Sequence, residues 1–319
     1  MRFERRNLVL GALALGLLAV DFGTLASAPE ARVAVPIFEQ LQGAEPVRIE
    51  IEAPDVEAPL VLYLADGAEL ERAPSMAWRM PIMNGWPVRD GLASNLLRGI
   101  ENLETLDLLA SDVAGHAAYG VTEDKAVRVR IYDQAGTILV DLLQGGLAPG
   151  GRASYLRAYG SDDVWRVPRL GQRISAKPTS WMEPRWMPFN RSRLQVDAIV
   201  LSGTAIEGSV RLERSEGSQS WLNPQEEIVS PAQVRLLLES LEALFVAEVL
   251  EDGGEGVGEP RLSVRLEGVG DGEPWVGHFG ATGEDGRVLA IRAPMDWVVA
   301  FPAAAVDPIV NSAVGLSGK

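Results

Sequence analysis

This sequence predicts an α+β protein of two tandem repeats. Each repeat is a mostly antiparallel sheet covered by one amphipathic helix, and a membrane helix precedes both. Three observations carry that expectation. One amphipathic helical pattern occurs twice, the same series of alternating segments surrounds each copy, and the length suits two domains. At 319 residues the chain exceeds the usual size of a single domain.

The later helix is the clearer one. Ser230 stands at the N-cap position, Pro231 follows at the first helical position, and Gln233 completes a capping-box pattern. Val234, Leu237, Leu238, Leu241 and Leu244 then fall on one helical face. In the earlier copy Leu96, Leu97, Ile100 and Leu103 precede Leu237, Leu238, Leu241 and Leu244 by a constant 141 positions. Asp90 is the expected cap there, and Gly91 and Gly99 lower the helix propensity.

The flanks agree with the helices. Residues 47–53 and 58–66 alternate apolar and polar side chains before the first helix, ending near Trp78. Residues 196–203 and 208–216 do so before the second, ending near Trp221. After each helix come a Gly-Val turn and two further strands, in which Val127, Val129 and Ile131 correspond to Leu262, Val264 and Leu266. Each unit closes with a strand pair, residues 152–168 and 286–302. Strands, helix and strands in the same order twice are an internal repeat. One helix per unit cannot cover both faces of a parallel sheet, so antiparallel sheets are expected.

The joints complete the organisation. Residues 1–28 read as a membrane anchor or signal peptide, 29–44 as a stalk and 45–170 as the first unit. Residues 171–195 read as a connector, 196–310 as the second unit and 311–319 as a tail. The N-terminus is basic at Arg2, Arg5 and Arg6, and residues 8–20 are uninterrupted apolar sequence. That core is short for a hydrocarbon layer of ~30 Å, and extending it to Ala28 includes Asp21. Ala26 and Ala28 also fit a small-x-small cleavage site. In either case the charges place the N-terminus in the cytoplasm. The expected location is the bacterial inner membrane, with a single pass and the bulk of the chain periplasmic. The connector carries Trp181, Met182, Trp186, Met187 and Phe189, unusual for a free linker. They either pack between the units or form an exposed aromatic patch. For the second case Trp181, Trp186, Met187 and Phe189 are the candidate partner contact.

The chain resembles the bacterial family known as domain of unknown function 4340. The resemblance rests on "VRIEIE", "WRM", "LASNLLRGIENLE" and "YGVTEDKAVRVRIYD" in the first unit. In the second it rests on "WLN", "SPAQVRLLLESLEAL" and "GVGEPRLSVRLEG". It runs from about Arg2 to Pro302, and its signals are apolar, Trp, Gly and Pro patterns rather than catalytic motifs. The second helix has a Pro-Ala start that the first lacks. The resemblance implies a single-pass membrane protein with an extracytoplasmic repeat region. Members accompany ABC transporter components similar to those of gliding motility. The resemblance transfers no catalytic residue.

Little in the sequence points to chemistry. A net charge of −15 argues against nucleic acid as a partner. With no cysteine, disulfides, thiol catalysis and cysteine metal sites are excluded. His116, in a post-helix loop, and His278, in a strand, read as surface or satisfied residues. Asp162 with Asp163, Glu226 with Glu227, and Asp252 with Glu255 read as solvated turn carboxylates, without the placement a glycosidase needs. The glycines of residues 253–260 neither follow a strand nor open a helix, and carboxylates among them would repel phosphate. No catalytic, metal or cofactor residue is assigned, and no cofactor is expected. The repeated Trp78 and Trp221 read as core or hinge packing, with sugar or polymer stacking as the alternative.

Three function classes follow. The foremost is a non-enzymatic, membrane-tethered subunit of a cell-envelope complex, of the ABC-type transporter kind. Its partners would be other envelope membrane proteins, and the bilayer through the N-terminal helix. A periplasmic polymer- or lipid-binding module would need an exposed aromatic groove. A hydrolase using carboxylates alone would need two converging acids in a cleft.

Overall fold

The computed structural model describes residues 38–67, 77–103, 107–170, 174–187, 196–215, 220–250, 257–268, 274–293 and 297–317. The expected anchor and most of the stalk lie outside this set, as do Phe189, Asp252 and Glu255. No helix among the described residues is long and apolar enough to cross a membrane.

The first sheet is formed by β1 (Arg48–Glu52), β2 (Leu60–Leu64), β3 (Trp78–Met80), β4 (Trp86–Pro87), β5 (Asp107–Ser111), β6 (Val127–Tyr132), β7 (Ile138–Leu147), β8 (Ala153–Ala158) and β9 (Asp163–Pro168). The second contains β10 (Ala198–Ser202), β11 (Ser209–Arg214), β12 (Trp221–Leu222), β13 (Ile228–Val229), β14 (Val249–Leu250), β15 (Leu262–Glu267), β16 (Trp275–Thr282), β17 (Arg287–Ala293) and β18 (Trp297–Pro302). Their orders are β4-β3-β2-β1-β6-β7-β8-β9-β5 and β13-β12-β11-β10-β15-β16-β17-β18-β14. Nine strands thus recur in one order, and neighbouring strands run antiparallel.

Register aligns the units residue by residue. Ile49 faces Ile131 and Ile51 faces Val129, as Ile199 faces Leu266 and Leu201 faces Val264. Leu64 faces Trp78 where Arg214 faces Trp221, so the two tryptophans occupy equivalent sites. Both are buried. The alternation read from the sequence is the alternation of burial: Ile49 and Ile51 enter the core while Arg48, Glu50 and Glu52 stay partly exposed. On that polar face Arg130 pairs with Glu50 and Glu52, and Arg128 holds Asp141 at 2.7 Å. The second sheet repeats the arrangement with Arg211 and Arg265 on Glu267.

The helices are α1 (Leu92–Glu101), α2 (Val113–Tyr119), α3 (Pro231–Glu242) and α4 (Ala303–Leu316). In α1 Leu96 and Ile100 are buried, and in α3 Val234, Leu237, Leu238 and Leu241. Their caps differ from expectation. The first helix follows Gly91 at φ 76°, a conformation that glycine adopts without strain, so Asp90 is not its N-cap. Ser230 stands at the N-cap of α3 and Pro231 at its start, but the Ser230 side chain makes no capping bond. Its carbonyl instead accepts from the N–H groups of Gln233 and Val234.

Among the described residues each unit has two α-helices rather than the one expected. Asp112 caps α2 through a 2.8 Å bond from the Gly115 N–H, and α2 packs on β5 and β9. It adds cover to the sheet face opposite the main core, where Leu143, Arg157 and Val164 are buried. The sequence hid it because seven residues are too few for a clear helical period. The final helix, α4, packs against α3, β17 and β18. It buries Val306, Ile309, Val310, Ala313 and Leu316, so the supposed tail from residue 311 belongs to the second unit. Pro308 inside this helix masked it. At the other end Phe38 and Leu41, assigned to the stalk, are buried in the core.

Candidate functional site

The densest group of unusual side chains lies where the two units meet. The connector forms the meeting point. Its Met182 pairs with Val88, just past β4, and its Arg185 pairs with Phe245, on the approach to β14. The Arg89 N–H donates to the Trp181 carbonyl at 2.7 Å, and the Glu183 N–H donates to the Pro87 carbonyl at 2.9 Å. On the other side the Trp186 N–H donates to Leu244 and the Val246 N–H to Pro184. A short extended segment therefore bonds to an edge of each unit.

Aromatic rings fill the space around it. Trp186 meets Trp275, Phe279 and Phe301 of the second unit, with centroids at 6.3, 6.3 and 5.4 Å. Such edge-on and tilted contacts suit the ring quadrupoles. Trp86 of the first unit lies 5.1 Å from Trp297 of the second. Trp86 Nε1 donates to the Glu183 carbonyl at 2.8 Å. Trp297 Nε1 donates to the Asn84 carbonyl at 3.0 Å. Asn84 and Gly85 both have positive φ, 51° and 70°, which turns that carbonyl toward the indole.

Two arginines lie against the ring of Trp297. Arg79 lies 5.2 Å and Arg292 5.5 Å from its ring centre, at exposures of 0% and 6%. The ring's negative face offsets part of their lost hydration. Burial, and then the neighbouring Arg79 cation, pushes the Arg292 guanidinium down to about 9, with Glu183 opposing.

The junction residues depart from the repeat. By register Arg79 stands where the second unit has Leu222, and Trp86 where it has Glu227. Arg292 and Trp297 stand where the first unit has Ala158 and Asp163. These departures were the available signal in the sequence. Positions that the two units share cannot carry it.

The candidate partner contact changes accordingly. Trp181, Trp186 and Met187 are buried within the chain and form no exposed patch, and Trp181 Nε1 donates to the Ser175 carbonyl at 2.7 Å. Their large apolar surface is satisfied by both units.

The other candidates stay apart. His116 lies on α2 rather than in a loop, buried, with Nε2 3.0 Å from the Asp162 carbonyl. His278 Nδ1 lies 2.8 Å from Ser263 Oγ in the second sheet. Asp163 begins β9. Glu226 sits in a turn at φ 61°, and Glu227 accepts from Asn223. No group of three or more metal-ligating residues occurs among the described residues. A concavity of about 610 Å³ runs along α1, lined by Leu92, Asn95, Leu96, Gly99 and Leu170 among others, none aromatic. Of the eight tryptophans only Trp165 is not buried.

A comparison with curated proteins returns no match. A comparison with family models returns one over residues 78–262, more than half of the chain. The match begins at Trp78, spans the junction and ends at the first residue of β15. By this match the chain belongs to the family described as domain of unknown function DUF4340.

Proposed function

We propose that this protein is a non-enzymatic, membrane-tethered, extracytoplasmic subunit of a cell-envelope complex of the ABC-transporter kind. The observation that carries this reading is the junction: one connector bonded to both units, sealed by buried aromatic rings and arginines. Such a joint holds two sheets at a fixed angle, as a scaffold or spacer requires. Ionisable side chains of several kinds are engaged in structural contacts: both histidines are hydrogen-bonded, Glu227 accepts from Asn223, and Glu50, Glu52, Asp141 and Glu267 pair with arginines. The burial of Trp78 and Trp221 counts against stacking of a sugar polymer on them. The basic, apolar N-terminus supplies the tether in this reading.

The test is purification of the tagged full chain from mild-detergent extracts of native membranes. Stoichiometric co-purification of an ATP-binding subunit and its membrane-spanning partner is expected. Recovery of the chain alone, or from the soluble cytoplasmic fraction, refutes the proposal.

A further inference from the structure

The repeat has one edge covered and its counterpart open. In the first unit Trp86, Pro87 and Val88 are buried, with Val88 at 5% exposure. The connector's Trp181-Met182-Glu183 covers them through two backbone hydrogen bonds. By register the counterparts in the second unit are Glu227, Ile228 and Val229. Ile228 is 73% exposed, Glu227 is exposed and Val229 is only half-buried. Among the described residues β13 ends its sheet, with no strand beyond it. The Pro87 carbonyl and the Arg89 N–H receive the connector. Their counterparts are the Ile228 carbonyl and the Ser230 N–H, which the same register turns outward.

From this we infer that the β13 edge, Ile228 to Ser230, is a docking site for an extended segment of a partner protein. The occupant has the chemistry of the connector: a non-helical strand with a large apolar residue opposite Val229. Backbone N–H and C=O groups on either side of that residue bond the edge. This is strand addition, in which main-chain bonds supply affinity and one side chain supplies choice. The acidic Glu226 and Glu227 beside the edge favour a basic residue next to the apolar one. A two-residue edge strand can also be simple protection against aggregation. However, an exposed isoleucine where its counterpart is a buried proline does not serve that end. The inference rests on reading the chain as a subunit of a complex, and it names the place where a partner segment attaches.

The connector supplies the probe, a fluorescent peptide of residues 177–185 with Glu183→Lys to match the acidic edge, titrated into the full chain. Saturable binding with a dissociation constant on the order of 0.1–1 mM is expected for so short a segment. Ile228→Asp, at an exposed site, weakens binding at least about ten-fold, equivalent to about 1.4 kcal/mol. Leu108→Asp, on the terminal strand β5 of the other sheet, leaves it unchanged. Absence of saturable binding overturns the inference, as does equal binding by the Ile228→Asp chain. Self-association of the chain that Ile228→Asp abolishes, without peptide binding, makes a second copy the occupant and also overturns it. The peptide assay needs no native partner. Its failure therefore removes this edge while leaving co-purification intact, and failed co-purification leaves the peptide result standing.

Discussion

Trp186→Ala tests the joint between the units most directly. The side chain is 0% exposed and belongs to the connector, while its three ring partners, Trp275, Phe279 and Phe301, belong to the second unit. Truncating a fully buried tryptophan to alanine costs about 3–5 kcal/mol, because the neighbouring rings cannot collapse into the space. Loss of three aromatic contacts falls within that figure, each contributing about 0.5–1.5 kcal/mol. The indole N–H makes no hydrogen bond among the described residues, so Trp186→Phe costs much less than Trp186→Ala. Trp181→Phe, which loses the bond to Ser175, costs more than Trp186→Phe. Equilibrium urea unfolding, followed by fluorescence and far-UV circular dichroism, measures all three. In a thermal scan a loss of about 4 kcal/mol lowers Tm by roughly 8–16 °C for a cooperative unit of this size. A cost below about 1 kcal/mol for Trp186→Ala refutes the argument, since the connector then does not hold the second unit.

Two further outcomes are expected. Arg292 is held below the usual guanidinium range in the folded chain. The unfolded chain therefore binds more protons between about 9 and that range, and this group's contribution to stability rises with pH through the window. The difference in unfolding midpoint between wild type and Arg292→Met, measured from pH 8 upward, should shift in favour of wild type as pH rises. A difference independent of pH refutes the assignment. Truncation after Val310 removes the buried Ala313 and Leu316. It should lower stability by several kcal/mol on the scale of large-to-small core changes, where loss of a true tail would leave the melting curve unchanged.

Six strands of each unit, the two amphipathic helices and the duplication were legible in the sequence, whereas the short β3, β4 and β5 and their counterparts β12, β13 and β14 were not. Burial on one face of a strand or helix imposes a period of 2 or 3.6 on the residues themselves. Val129 and Val264, or Leu96 and Leu237, carry that period whatever surrounds them. The helix α4 was not legible, because Pro308 inside it reads as a helix breaker. The start of α3 at Ser230 and Pro231 was legible, but that of α1 at Gly91 was not, since no side chain caps the helix there.

Composition alone marked the connector as too apolar for a free linker, because it holds two indoles, two thioethers and a phenyl ring. Where they went was a tertiary matter. Burying Trp186 required Phe279 and Phe301, and Trp86 required Trp297 more than two hundred residues away. The same holds for Arg79 and Arg292, both buried. Only the meeting of the two sheets sets both against one indole ring. Local periodicity is written along the chain. The partner of a side chain across a junction depends on how two finished units dock, and no single segment encodes that.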